Sequence, residues 1–203
     1  MPLIRRDPPC RQPQQPRPAG SPADLDAAEP ERRLAAIRAL SGTSEGAERL
    51  GQALGTETVL RLRDAILAGL VAHADAGAAA ALAAHLRSDD AGLRNSCIEA
   101  LQEIPAAALP ILPDLLADAD PDVRLLAAEV ARTQPPEIAS ALLARLLGTE
   151  LHPNVCAAAV EVLAESGTAE AVPSLRAARA RFAADPFLPG AIDTVLASLV
   201  AGL

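Results

Sequence analysis

The chain contains no lysine, tyrosine or tryptophan, and only two of its 203 residues are phenylalanine. The missing lysine excludes a Schiff-base mechanism and a lysine-dependent phosphate-binding loop. Aromatic residues that favour strands are nearly absent, whereas 47 residues are alanine, the strongest helix former. This balance predicts an all-helical fold. Half of the residues are apolar, which is enough to build one packed domain.

Cysteine is also scarce, and the three cysteines, Cys10, Cys97 and Cys156, lack the C-x-x-C spacing of a zinc or redox site. A widely spaced, odd set predicts neither a disulfide framework nor structural zinc, and it is typical of a reducing cytoplasm. The N-terminus has no apolar stretch like that of a signal peptide, and no apolar run approaches the roughly 18 to 20 residues that span a membrane. We therefore expect a soluble, cytoplasmic protein with no membrane partner.

The net charge of −8 is unevenly distributed along the chain. Residues 1–22 carry four arginines against one aspartate, a net charge of +3, which leaves −11 for residues 23–203. An acidic body repels phosphate backbones, so we expect no nucleic-acid partner. The first 22 residues also hold seven prolines. They are expected to form a disordered tail in front of the folded body.

A repeat of 30 to 33 residues runs through the body. Aligning "DADPDVRLLAAEVA" with related segments places six residues in one register: Arg33, Arg63, Arg94, Arg124, Cys156 and Pro189. Apolar residues recur three and seven positions after each of them and therefore lie on one helical face. Asp90 and Asp120, four positions before a register residue, are typical helix N-caps. Proline follows the equivalent position in four of the six units, as expected at a helix start.

Each unit continues into a second helical pattern, for example over residues 106–117. A single pair of helices cannot bury its apolar face, so neighbouring units must stack. The sequence therefore predicts a right-handed α-solenoid of about five to six helix pairs. The units are expected to start near residues 29, 58, 90, 120, 152 and 185.

The pattern D-x-D-P-D-V-R-x-x-A-A-x-x-A resembles the HEAT repeat, in the short form of bacterial HEAT-like and phycobilisome-lyase-type repeats. The resemblance covers about residues 24–203. It implies a ladder of ion pairs along the stack, formed by Arg33, Arg63, Arg94 and Arg124 with acids of neighbouring units. Asp90 and Asp120 are the candidate acids. Cys156 and Pro189 depart from the pattern, so the last two units are expected to be less regular, with residues 186–202 as a terminal cap.

A reactive thiol is a minority hypothesis. Cys156 lies near a predicted helix N-terminus, where a thiolate would be stabilised, and His152, four residues earlier, is the candidate base. A plain substitution in the repeat register explains the same cysteine. No group of residues has metal-ligand spacing or a catalytic motif, so we expect no catalytic residue, metal ion or cofactor.

Two segments are candidates for partner binding. The first is a basic patch formed by Arg176, Arg179 and Arg181, although a solvated helix face explains these residues more simply. The second combines two apolar anchors with two charges and consists of Leu3, Ile4, Arg5 and Arg6. This segment would dock on a partner, fold back on the acidic body, or have no role.

The absence of catalytic signals and the solenoid fold favour a non-enzymatic bacterial protein-interaction module, an adaptor, scaffold or accessory factor that acts as a monomer. The lyase-type resemblance implies an alternative: a lyase-like or chaperone-like factor for a tetrapyrrole chromophore or for maturation of a cofactor enzyme. The lack of tyrosine and tryptophan to stack on a large ring opposes that alternative. A DNA-repair glycosylase of HEAT-like fold is disfavoured by the acidic body and the scarcity of aromatic residues.

Overall fold

The computed structural model of the protein describes residues 21–41, 43 and 45–201. Within these residues every regular element is a helix, so the predicted all-α solenoid is confirmed. The predicted disorder of the tail and the candidate segment Leu3–Arg6 lie outside the described residues.

The helices form two layers. The first layer consists of α1 (Pro30–Leu40), α3 (Leu60–His73), α5 (Ala91–Glu103), α8 (Pro121–Val130), α10 (Pro153–Ser166) and α12 (Leu188–Ala201). The second layer consists of α2 (Gly46–Leu54), α4 (Ala76–Ala84), α6 (Pro105–Ala108), α7 (Leu112–Leu115), α9 (Pro136–Thr149) and α11 (Val172–Arg181). Short 3₁₀ turns are found at Pro22–Asp26, His85–Arg87, Leu109–Ile111, Ala131–Thr133 and Ala169–Ala171.

Neighbouring helices of the first layer contact each other in the order α1, α3, α5, α8, α10, α12. In the second layer α2 contacts α4, α4 contacts α6, and α9 contacts α11. Each second-layer helix that ends a unit also contacts the first-layer helix of the next unit, as α2 does with α3 and α9 with α10. The hydrophobic core therefore runs continuously between the two layers.

Local capping explains where several first-layer helices begin. The Asp90 carboxylate accepts a hydrogen bond from the Leu93 N–H at 3.1 Å, and the Asp120 carboxylate accepts one from the Asp122 N–H at 2.9 Å. Before α12, Asp185 accepts two such bonds, from Phe187 and Leu188. These carboxylates satisfy amide groups that have no partner inside the helix.

The second helix of the third unit differs from the continuous helix expected over 106–117. It is divided into α6, a 3₁₀ turn at Leu109–Ile111, and α7. Pro110 and Pro113 lie inside this stretch, and a proline has no N–H to donate to the preceding turn. The last helix of this stretch, α7, ends at Leu115, so the second layer is short at this point.

The core is filled by leucines on the register stripe and by alanines that let the helices approach closely. The residues three and seven positions after each register position are buried, except the half-buried Leu196 of the last helix. Between α2 and α4 the approach is close, because a Cβ atom built on Gly51 would lie 2.6 Å from the Cβ of Ala81. Glycine at this position is therefore required by packing rather than by backbone conformation.

Candidate functional site

The four register arginines share one hydrogen-bonding geometry. Each guanidinium donates to the backbone carbonyl six residues earlier, in the loop that leads into its own helix. The distances are 2.7 Å from Arg33 to Ala27, 3.1 Å from Arg63 to Glu57, 2.6 Å from Arg94 to Ser88 and 2.7 Å from Arg124 to Asp118. These loop carbonyls lie outside the helices and therefore have no backbone N–H of a helix as a donor. The arginine side chain supplies the donor instead.

The residue six positions before the register also uses its side chain. It accepts a hydrogen bond from the backbone N–H two residues further along the loop, over 2.8 to 3.2 Å, and the four acceptors are Glu57, Ser88, Asp118 and Glu150. The side chain therefore closes the loop locally while its carbonyl binds the arginine. The spacing of these residues repeats with the register and was a signal present in the sequence.

Ion pairs connect successive units through these loops. Arg33 Nε lies 2.9 Å from Glu57, and Arg124 Nε lies 2.7 Å from Glu150. The acids are almost fully buried: their side chains are 8% and 4% exposed. Glu57 and Glu150 lie six positions before the register, whereas the acids predicted for the ladder lie four positions before it.

The two acids that were predicted for the ladder differ in their contacts. Arg63 Nη1 donates to Asp90 at 2.8 Å, and this bond connects the second unit to the third. The prediction of Asp120 as a ladder acid is corrected, because its carboxylate caps its own helix and forms no ion pair with a described arginine. Arg94 donates to the Ser88 carbonyl. In the loop before α8 the acid that pairs with a neighbouring unit is Asp118, which accepts a hydrogen bond from Arg87.

The buried loop acids have lowered pKa values. Burial raises the pKa of Glu150, but hydrogen bonds from Arg124 and from the His152 N–H, together with the arginine charge, outweigh burial and leave the pKa below its ordinary value. Burial likewise raises the pKa of Glu57, and hydrogen bonds from the Val59 N–H and from Arg33 more than compensate. Both carboxylates are therefore charged at neutral pH.

The fifth unit uses a different arginine. Cys156 occupies the register position, and its Sγ lies 4.0 Å from the Glu150 carbonyl oxygen. Arg181, at the end of α11, donates to that same carbonyl at 3.0 Å and also to Leu147 at 2.9 Å and Gly148 at 2.7 Å. A guanidinium from the second layer thus occupies the place of the missing register arginine and binds the carbonyls at the C-terminus of α9.

The predicted basic patch is divided by these contacts. Arg181 is engaged with the three carbonyls at the end of α9. Arg179 forms a two-bond ion pair with Asp193 of α12. Of the three arginines only Arg176 forms neither an ion pair nor a side-chain hydrogen bond with a residue that the structure describes. The interpretation of these residues as one basic surface is therefore corrected.

The hypothesis of a reactive Cys156 is not supported. Burial raises the pKa of its thiol to about 11, with the Glu150 charge acting in the same direction. The His152 side chain makes no cap bond, and its backbone N–H donates to Glu150. In the described part of the chain no hydrogen bond joins the two side chains. Burial also raises the pKa of Cys97 to about 12.

We expect both buried thiols to be inert until the protein unfolds. We expect labelling of Cys97 and Cys156 by a disulfide reagent at mildly alkaline pH, in a Cys10→Ser variant, to be slow. Its rate should be limited by the local or global unfolding that exposes the thiols. Thiol release followed by absorbance, with and without denaturant, measures both rates. Rapid labelling of Cys156 in the native protein would restore it as a candidate nucleophile.

Two of the three histidines, His73 and His85, connect neighbouring helices. His73 Nε2 lies 3.2 Å from the Leu40 carbonyl oxygen, and His85 Nε2 lies 2.8 Å from that of Gly51. Among residues 21–41, 43 and 45–201 no three histidine, cysteine or acidic side chains are close enough together to hold a metal ion. No helix in these ranges has the length and apolar character needed to cross a membrane.

A cleft of about 590 Å³ opens where the second layer is short, between the C-terminal ends of α7 and α9. Its floor contains Leu116 and Leu146, each 7% exposed, and its rim carries Leu151, which is 76% exposed. Arg145 of α9 lines the cleft and forms no ion pair with any residue that the structure describes. The cleft therefore combines an apolar floor with an arginine that is free to bind a ligand.

Charged groups on one side of the cleft are already paired. Arg124 and Glu150 line it as an ion pair, and Asp118 lines it while bound by Arg87. Hydrogen bonding to the Asp120 N–H lowers the pKa of Asp118, with the nearby arginines contributing. These acids stay charged and hold the loops in place, so the arginine available for a new contact is Arg145.

Repeated helix pairs stacked in two layers define an α-solenoid. Residues 108–185 match the family model of HEAT repeats, and this part of the chain contains the whole of the cleft. The match is to HEAT repeats in general and does not single out the phycobilisome-lyase type. No curated protein matches the sequence. HEAT repeats generally mediate protein–protein interactions and are typically non-enzymatic.

Proposed function

We propose that this protein is a non-enzymatic interaction module, an adaptor or accessory factor, that binds a segment of another protein in the cleft between α7 and α9. The observation that carries the proposal is the pairing of a leucine floor with the unengaged Arg145. Binding sites typically combine a mostly apolar surface with a few polar groups that fix the orientation of the ligand. A bacterial cytoplasm is the setting that the sequence analysis favours.

The cleft fits a segment that carries a large apolar side chain next to a carboxylate. Leu116, Leu142 and Leu146 would cover the apolar side chain. The planar guanidinium of Arg145 would bind the carboxylate through two parallel hydrogen bonds. Arg145 supplies the charge for this contact, because the other charged groups that line the cleft, Arg124, Glu150 and Asp118, are already held in ion pairs.

The chemistry of the cleft supports binding rather than catalysis. Its two acids accept hydrogen bonds from arginines and have lowered pKa values, so neither can exchange a proton readily near neutral pH. The tetrapyrrole alternative gains no specific support, because the described residues that line the cleft include no aromatic ring to stack on a chromophore.

We predict that Arg145→Glu abolishes selective binding of acidic–apolar peptides. Random twelve-residue peptides displayed on phage and selected on the wild-type protein should be enriched in an aliphatic or aromatic residue beside aspartate or glutamate. Affinities of selected peptides, measured by fluorescence anisotropy, should fall at least about tenfold in Arg145→Glu, because an attractive charge becomes a repulsive one.

Arg38→Glu is the matched control, since Arg38 is an exposed arginine of α1 that is distant from the cleft in the stack. Its peptide affinities should be unchanged. Arg176→Glu tests the residue of the basic patch that has no partner among the described residues, and a loss confined to that variant would move the site to α11. Equal binding by Arg145→Glu and the wild type would contradict the proposal.

A further inference from the structure

A second groove lies between the last two first-layer helices, α10 and α12, and has a volume of about 540 Å³. Val160, Leu188 and Val195 form its buried floor. Phe187, one of the two phenylalanines of the chain, stands at its edge with 83% of its surface exposed. A large aromatic side chain beside an apolar groove is characteristic of a surface that another chain covers.

Comparison with the first two units shows how the surface at the end of the stack differs from the surface at its start. Two positions before the register, Glu31 of α1 and Arg61 of α3 form an ion pair between units at 3.2 Å. The equivalent residues of α10 and α12 are Asn154 and Phe187, and both line the groove. Where the first two units place an ion pair, the last two therefore place a neutral amide and an exposed aromatic ring.

The charges around the groove are acidic. Glu161 and Asp185 line it, whereas none of the described residues that line it is an arginine. Hydrogen bonds from the Leu188 and Phe187 N–H groups lower the pKa of Asp185, so its carboxylate is charged at neutral pH. The side chain of Glu161 is 68% exposed, and its nearest cation, Arg132, is 3.8 Å away. An occupant should therefore carry apolar side chains next to positive charge.

We propose that the segment Leu3–Arg6 of a second copy of the chain occupies this groove. Leu3 and Ile4 supply adjacent aliphatic side chains for the floor and for the ring of Phe187. Arg5 and Arg6 follow them directly and match the two carboxylates of the rim. The opposite net charges of residues 1–22 and of the remaining chain favour the same encounter.

The position of the groove favours a second copy over the same molecule. The tail enters the stack at α1, whereas the groove lies beside α10. Four helix-to-helix steps separate them, from α1 to α3, α5, α8 and α10. With roughly 8–10 Å between packed helices, this is about 40 Å. The chain between Arg6 and Ser21 spans at most about 50 Å when fully extended, and a flexible chain of that length averages only about 20 Å. Docking within one molecule would therefore require nearly full extension, at a large cost in conformational entropy.

Two copies that exchange this segment would form a closed dimer with two equivalent contacts. This differs from the monomer that the sequence analysis favours, because the groove becomes visible only when α10 and α12 are placed side by side. The contact is small and partly ionic, so the dimer should be reversible and should weaken as salt concentration rises.

Sedimentation velocity on the full-length protein over a concentration series tests the proposal. We expect the wild type to show a concentration-dependent dimer. We expect the groove variant Phe187→Glu and the segment variant Leu3→Glu/Ile4→Glu each to sediment as monomers. An equimolar mixture of the two variants should regain association, because an intact segment then meets an intact groove. Leu60→Glu is the matched control, since Leu60 is 69% exposed at the start of α3 and should leave the dimer intact.

Other outcomes would overturn the proposal. A wild type that stays monomeric throughout the series would exclude a second copy as the occupant. Association that survives Phe187→Glu or the segment variant would place the contact on another surface. Circular dichroism should show unchanged helix content in all variants, because the substituted residue Phe187 is exposed. The peptide measurements on Arg145→Glu concern a different cleft, so either proposal can fail without the other.

Discussion

Replacing Arg124 with methionine is expected to lower the free energy of unfolding by about 3–5 kcal/mol, because it leaves a buried carboxylate without its cation. Glu150 is 4% exposed and accepts two hydrogen bonds from Arg124, at 2.7 and 3.0 Å. The substitution also removes the donor to the Asp118 carbonyl at 2.7 Å. Urea unfolding followed by circular dichroism near neutral pH measures the loss.

The double variant Arg124→Met/Glu150→Gln should recover part of that stability, since an uncharged amide costs less to bury than an unpaired carboxylate. Arg63→Met is the matched control, because its partner Asp90 is 45% exposed and solvent screens the charge that is left behind. It should cost about 1 kcal/mol. Equal losses in Arg63→Met and Arg124→Met would show that burial of the acid is not the cause.

The same pair predicts a pH dependence. The pKa of Glu150 is lowered from its ordinary value of 4.5, so the folded state holds the carboxylate charged more strongly than the unfolded state does. Its stabilising contribution is fully present above the unfolded pKa and is lost as the pH falls through the folded pKa. In Arg124→Met the effect should be smaller, because burial, which raises the pKa of Glu150, is then opposed only by the hydrogen bonds from the His152 and Leu151 N–H groups. Unfolding free energies measured from neutral to acidic pH should therefore converge for the two proteins.

Replacing Arg181 with methionine is the second large effect, with an expected loss of about 2 kcal/mol. The variant loses the donor to three carbonyls at the end of α9, whose own helix offers them no partner. The figure is below the sum for three charged hydrogen bonds, because the arginine is exposed and water replaces part of the interaction. Thermal and urea unfolding measure the change.

Arg179→Met provides the comparison on the same helix. Arg179 and Asp193 are both about half exposed, so solvent screens their ion pair and its loss should lower stability much less than the loss of Arg181. The two arginines are two residues apart, so charge and helix propensity change alike in both variants. A loss in Arg179→Met as large as that in Arg181→Met would refute the assignment of Arg181 as the substitute for the register arginine.

The sequence by itself determined the repeat. Helical periodicity is local, so the register, the buried stripe and the capping aspartates Asp90 and Asp120 follow from residues three to seven positions apart. The break in the second helix of the third unit was also readable in principle, because Pro110 and Pro113 act on their own turn. The all-α solenoid needed no information beyond these short-range rules.

Only the tertiary structure decided which charged groups meet. Arg33 binds Glu57, Arg124 binds Glu150, and Arg181 reaches back more than thirty residues to the end of α9. These contacts depend on the conformation of the loops and on how far one layer is offset from the other, and neither is encoded within a single helical turn. The same holds for the cleft between α7 and α9 and for the groove beside Phe187. Both are spaces between units, so they exist only once the helices are stacked.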